Sequence, residues 1–274
     1  MIGRARDGNR YPRWATAFPV QSDECLPNGR IERRAERKIG FWVAGLSGGY
    51  LLLTFLVPLS LPTDTIPDLS GRANVIDYWS EESWGNQQSE EGPMGHDQNL
   101  HGGTVQWKEL PPLHALVYLF GDVNCHQKFQ RSWTLNGNQM PVCTRDIGIF
   151  LGAMLGALAF ASRGLNRWTV RDTLVSPLPD SWLDGAYRAG RRNHLILLLL
   201  ALTILPILLD GGIQMTTAYE SNNMLRLLTG AIFGLLAGLG FAAMLAARPK
   251  SFAAADAVLL PGGARFMLVD DESE

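Results

Sequence analysis

Basic residues are scarce over the longest polar stretch of the chain. Between Leu61 and Asp146 only Arg72, Lys108, Lys128, Arg131 and Arg145 stand against eleven acids, whereas nine basic residues precede Phe41 and six lie between Arg163 and Arg192. Lysine and arginine gather in cytoplasmic flanks, so this deficit places Leu61 to Asp146 on the other side of a membrane. No aromatic or glycine-rich recognition pattern accompanies the N-terminal arginines, which argues against nucleic-acid binding and leaves attraction to anionic lipid as their role. No long apolar run precedes Phe41, and the run that begins there follows a long charged leader; a cleaved signal peptide is not expected. No long internal repeat is visible, which counts against a carrier built from inverted repeats. Cysteine is sparse, with three in 274 residues. Cys25 stands apart from the other two, in the basic arm, and in a reducing compartment reads as a simple thiol.

Four apolar windows are present instead: Phe41 to Ser60, Ile147 to Ser162, His194 to Ile213 and Met224 to Ala247. A helix needs about 20 apolar residues to cross the bilayer core, and all but the second window reach that length. The expected fold is all-α, a polytopic membrane protein with four transmembrane helices and both termini cytoplasmic. Leu113 to Phe120 is too short to span and is expected to be interfacial or re-entrant. The chain then divides into a cytoplasmic basic arm (1–38, interfacial from Ile31), a first transmembrane helix (39–60), an outer acidic loop (61–112), a membrane core domain (113–247) and a cytoplasmic tail (248–274).

Within the outer loop, the tryptophans Trp79, Trp84 and Trp107 are expected at the lipid headgroups, and His96 and His101 in solvent. Arg163 to Asn193 reads as a cytoplasmic connector with an amphipathic portion. The closing run Asp270 to Glu274 reads as a solvated end. Glycines make flat faces for close helix packing. Gly45, Gly48 and Gly49 give one to the first span, while Gly148, Gly152 and Gly156 match Gly230, Gly234 and Gly238 in spacing, so the second and fourth spans are expected to pack backbone to backbone. Ser221 or Asn222 is the expected N-cap of the fourth.

The polar loop before the second span carries Cys125, His126, Cys143 and Asp146. Two thiols, an imidazole and a carboxylate suit a divalent metal such as zinc. The same two cysteines also fit a disulfide, favoured by an oxidising exterior, and the spacing leaves both readings open. Asp210 follows a run of leucine and isoleucine where an unpaired carboxylate is expensive. The charge-derived topology puts Asp210, Gln214, Asn222, Asn223 and Arg226 at the same side as the loop, with Arg226 the expected partner of Asp210 or Glu220. Gln127, Arg131 and Arg145 are placed to orient ligands or hold an anionic substrate. If the site is catalytic, Asp210, Arg226 and Gln127 are the residues expected to act beside the metal, with Asp210 or Asp146 accepting a proton from a metal-activated water.

Several separated blocks occur together: Cys125-His126-Gln127, Arg131-Ser132, Gln139 to Arg145, Gly148-Ile149-Phe150, Asp210-Gly211 with Gln214, then Asn223, Leu225-Arg226 and Thr229-Gly230. In this order they resemble the signature of the family called domain of unknown function 2085, small prokaryotic integral membrane proteins, over about Leu113 to Ala247. The resemblance implies a multi-pass membrane protein with a polar cluster at those positions, and assigns no activity. The family pattern has a third cysteine where this chain has Asp146, which points to a mixed rather than an all-cysteine site. Two functions follow: a cell-membrane protein with an outward-facing, metal-binding site, or an accessory subunit of a larger membrane complex in which the cluster fixes the fold.

Overall fold

The computed structural model describes residues 33–71, 74–87 and 97–266. Among these, seven α-helices follow in order: α1 (Arg34–Ser60), α2 (Pro112–Asn124), α3 (Thr144–Arg163), α4 (Val170–Leu174), α5 (Asp180–Arg188), α6 (Arg192–Thr216) and α7 (Asn223–Ala246). Between α2 and α3 lies a small antiparallel hairpin, β1 (Thr134–Leu135) against β2 (Asn138–Gln139). Its turn residues Asn136 and Gly137 both have positive φ, the pattern of a two-residue hairpin turn.

Helices α1, α3, α6 and α7 are long and apolar enough to cross a membrane. The span read as short gains its length from polar residues: α3 begins at Thr144 and runs 20 residues, with Arg145 and Asp146 in its first turn. Helix α1 starts at Arg34, so the part of the expected interfacial piece that is described is continuous with the first span; Cys25 and the rest of the arm lie outside the described residues. At 13 residues, α2 extends about 20 Å, short of the roughly 30 Å hydrocarbon core.

The chain divides into two compact units. One comprises the described parts of Met1–Gly45, Ala153–Leu205 and Leu235–Glu274. Here the connector folds into α4 and α5, and the segment after α7 packs on it: Trp168, Leu183, Tyr187, Phe252, Val258 and Phe266 share one buried cluster. The Arg192 guanidinium lies over the rings of Tyr187 and Phe266, 5.5 and 5.2 Å from their centroids, within cation–π reach. The tail is therefore part of the fold as far as Phe266; the acidic run beyond it lies outside the described residues. At the end of α3, Arg33 donates from Nε to the Gly164 carbonyl at 2.9 Å and from Nη1 to Ser162 at 2.7 Å, a cation meeting the carbonyls a helix terminus leaves free. A Cβ on Gly156 would stand 2.1 Å from the Leu235 carbonyl oxygen, and one on Gly238 2.1 Å from that of Ala153. Only glycine permits α3 and α7 to approach so closely.

The other unit comprises the described parts of Leu46–Gly152 and Pro206–Gly234. The same pairing of α3 and α7 recurs in it at Gly148, Gly230 and Gly234, each with a carbonyl oxygen 2.1 to 2.2 Å from the position a Cβ would take. Gly45 and Gly49 of α1 behave otherwise. Nothing lies within 4 Å of a Cβ built on Gly45 or Gly49, because α1 turns Val43, Ala44 and Val57 inward and leaves those glycines on its exposed face.

The segment between α1 and α2 is folded, with few regular elements. Ile66, Leu69, Tyr78, Val105 and Trp107 are buried with Val57, Leu61, Val117 and Tyr118. Trp107 stacks on Tyr118 at 4.8 Å and donates Nε1 to Asp122 Oδ2 at 3.0 Å. The headgroup role expected of it is thus mistaken; an indole buries when its N–H finds a partner. Trp79 and Trp84 are exposed. The His101 ring packs against Phe129, and His96 lies outside the described residues. Asp122 also accepts from the backbone N–H groups of Asp77 and Tyr78 at 2.9 and 3.1 Å. Burial nonetheless pushes its carboxyl up to about 6, since desolvation penalises the charged form.

Candidate functional site

The site is assembled from the end of α2, the loop with its hairpin, the first turn of α3, the last turns of α6 and the start of α7. Gly121 lets the segments come together: a Cβ there would lie 1.9 Å from the Pro141 carbonyl oxygen. Gln127, at φ 45, donates Nε2 to that same carbonyl at 2.8 Å, and Gln139 Nε2 donates to the Gln127 carbonyl at 2.8 Å. Gln139 Oε1 accepts from Leu69 N, and Asn138 Oδ1 from Ile66 N. These amides clamp the loop and the segment before α2 through otherwise unmatched buried backbone groups. Gln127 acts here as a brace, one of the residues expected at the site for another reason.

Cys125 caps α2 in an extended conformation, so its side chain and that of His126 diverge. Cys125 is buried and His126 exposed. The Cys125 sulfur accepts the Cys143 N–H at 3.1 Å, and Cys143 Sγ donates to Asp146 Oδ2 at 3.1 Å. One ligand atom from each of Cys125, Cys143 and Asp146 lies within 4.8 Å of the others. The His126 ring is not among them. Both thiols are free. Contact with Cys143 first, and burial second, hold the Cys125 thiol well above its usual range. Two thiols and a carboxylate are thus crowded together, and a cation bound among such groups favours their deprotonated forms.

A second chain of polar contacts runs beside the first. Arg145 pairs with Asp210 through Nη2 and Oδ2, and Ser221 Oγ donates to the same carboxylate oxygen at 3.2 Å. Gln214 Nε2 donates to Ser221 Oγ at 2.9 Å, and Arg226 Nη2 to Gln214 Oε1 at 3.0 Å. Arg226 Nη1 reaches Asn223 Oδ1, which also meets Thr144 Oγ1. Asp210 is thus answered by Arg145 and not by Arg226, and Glu220 by Arg131 at 3.1 Å; hydrogen bonding to Arg131 lowers the Glu220 carboxyl below its ordinary value. Asn222 caps α7, accepting the Leu225 N–H at 2.8 Å, while Ser221 is turned toward Asp210.

A cavity of about 110 Å³ is lined by Cys125, Cys143 and Asp146 together with Lys128, Arg131, Arg145 and Arg226; His126 and Gln127 also border it. Asp210 does not line it and joins it through Arg145 and, by way of Ser221 and Gln214, through Arg226. Sequence reasoning missed Lys128 and the Ser221 hydroxyl. Both sit in polar runs with no periodicity to single them out.

Four helices able to cross a bilayer, three of them bearing a cysteine-containing polar site at one end, define a polytopic membrane protein. A family model described as predicted membrane protein (DUF2085) matches residues 125–240. An uncharacterized protein of Methanothermobacter thermautotrophicus is 32% identical over 121 residues, 44% of this chain and 82% of that protein. The chain belongs to this family. An uncharacterized protein of Methanocaldococcus jannaschii is 27% identical over 128 residues, 47% of this chain and 65% of its own length. No solved structure matches.

Proposed function

We propose that this membrane protein binds a divalent, thiophilic cation such as zinc through Cys125, Cys143 and Asp146, on the non-cytoplasmic side of a cell membrane. The single observation that supports the reading is the convergence of those three ligand atoms within 4.8 Å. Ligands at the usual Zn–S distance of about 2.3 Å stand roughly 3.8 Å apart in a tetrahedron, so closure on a cation asks for shifts on the order of 1 Å. Three protein ligands leave a fourth position, and the residues beside it line the cavity. A cation held so supplies a Lewis acid and acidifies a bound water. With Asp146 engaged as a ligand, the proton-accepting role falls to Asp210, which stands behind Arg145 and whose Oδ1 has no hydrogen-bond partner. Metal analysis of detergent-purified protein beside Cys143→Ala tests this. Stoichiometric metal lost in the variant supports ligation. A metal-free wild type, or a Cys125–Cys143 disulfide in the intact mass under non-reducing conditions, refutes it.

The alternative, an accessory subunit of a larger membrane complex, draws support from α6 and α1. Only 6% of the apolar window of α6 is buried, and the exposed pair Gly45 and Gly49 has the spacing at which another helix backbone can approach. Purification in mild detergent as a single species with no companion chain counts against this reading.

A further inference from the structure

The charges around the cavity do not balance. Lys128, Arg131, Arg145 and Arg226 line it, against Asp146 as the lining carboxylate. Glu220 answers Arg131 and Asp210 answers Arg145, which leaves four cations against three carboxylates. Adding a divalent cation and two thiolates changes nothing in that surplus, so the inference stands beside the metal reading and does not rest on it.

Arg226 carries the excess. It is 2% exposed, and its hydrogen bonds go to the neutral amides of Gln214 and Asn223. Its Nε is buried with no partner, as are the Nε atoms of Arg131 and Arg145. A buried guanidinium left without an anion is costly, and three guanidinium edges bordering one space offer the forked donors that match tetrahedral oxyanions. The cavity, about 110 Å³, falls well below the roughly 300 Å³ at which sites begin to enclose drug-sized ligands. It admits a phosphate-sized group and is too small to enclose a whole nucleotide.

We propose that this cavity binds a phosphate group, with Arg226 and Lys128 as its principal partners and Arg131 and Arg145 flanking them. Phosphate fits better than a carboxylate because it brings close to two charges and several acceptor oxygens to a site with surplus donors. Free phosphate and the headgroup of an anionic phospholipid present the same chemistry.

The test uses the full chain in detergent and phosphate-free buffer, titrated calorimetrically with inorganic phosphate and with short-chain phosphatidic acid, short-chain phosphatidylcholine serving as control. Saturable binding is expected, weakened roughly ten- to hundredfold by Arg226→Gln and less by Arg226→Lys, which keeps the charge and loses the fork. Lys128 is only half-buried, so weakening by Lys128→Ala is not attributable to misfolding. Glu220→Gln frees Arg131 and is expected to tighten binding severalfold, an outcome that damage to the fold does not produce. Binding of both probes in competition identifies the free anion as sufficient; binding of phosphatidic acid alone identifies a lipid headgroup. No binding of either probe, or binding indifferent to both Arg226→Gln and Lys128→Ala, overturns the proposal. Phosphate binding that persists after chelation, in protein found metal-free, leaves this inference standing while the metal reading falls.

Discussion

Replacing Gly230 by alanine puts the packing of α3 on α7 to a direct test. The added Cβ would sit 2.2 Å from the Arg145 carbonyl oxygen, 3.1 Å from its carbon and 3.2 Å from the Ile149 nitrogen. All three are backbone atoms of a helix, which cannot swing aside as a side chain can. Ordinary contact begins near 3.4 Å, so the two helices must part locally by about 1 Å. Overpacking of this kind costs about 1–3 kcal/mol, against about 0.5–1 kcal/mol gained because alanine suits a helix better than glycine. Gly45→Ala is the matched control, since nothing lies within 4 Å of its Cβ and the propensity gain alone applies. The two substitutions should therefore shift stability in opposite directions. Unfolding in mixed micelles at rising SDS fraction, followed by helical circular dichroism, measures both. A Gly230→Ala variant as stable as Gly45→Ala would refute the packing argument.

Asp122 makes the segment before α2 pH-dependent. Its carboxyl is pushed up to about 6 from 3.8, so the folded protein binds the proton more tightly than the unfolded chain between those values. Stability should be full below about pH 4 and fall as pH rises through 6, by up to about 3 kcal/mol, and Asp122→Asn should flatten the profile of melting temperature against pH. Asp210→Asn strips Arg145 of its carboxylate. Arg145 is 22% exposed and Asp210 4%, so the loss should fall near about 3 kcal/mol, the low end for a broken buried pair; the double variant Arg145→Met, Asp210→Leu should recover much of it in the same melt. Gln139→Ala orphans the Leu69 N–H and the Gln127 carbonyl, at about 1–3 kcal/mol each. Limited proteolysis should then cleave between Leu61 and Leu110 faster than in wild type.

The spans were legible because membrane helices announce themselves through length and apolarity, and the α3–α7 contact because glycines at four-residue intervals leave one consistent face. Gly45 and Gly49 of α1 carry the same signal and mislead. A small residue permits close approach without requiring it, and Val43, Ala44 and Val57 decide which face of α1 turns inward. The segment between α1 and α2 and the segment after α7 were read as loop and tail for a different reason. Their buried residues, Ile66, Leu69, Tyr78 and Trp107 in one and Phe252, Val258 and Phe266 in the other, follow neither a helical nor a strand period. Each segment folds by packing on an element far away in sequence, Tyr118 of α2 or Tyr187 of α5, and local pattern carries no trace of that.

At the site, what helical spacing controls was readable and what side-chain reach controls was not. Cys143 and Asp146 lie three residues apart at the start of α3, Asp210 and Gln214 four apart on α6, Asn223 and Arg226 three apart on α7; such intervals put each pair on one face. The choice of partner across helices then depends on how far each side chain extends. Arg145 precedes Asp146 by one residue and so leaves α3 in a different direction, toward α6, where it meets Asp210. Arg226, buried one turn into α7, finds Gln214 instead. That division explains why the carboxylate of α6 has a counter-ion while the guanidinium of α7 bonds only to neutral amides. Pairing charges by proximity to the same end of a helix assigns Asp210 to Arg226. The actual pairing leaves a buried cation beside a cavity, and this unbalanced charge gives the thiol–carboxylate cluster a neighbour suited to an anion.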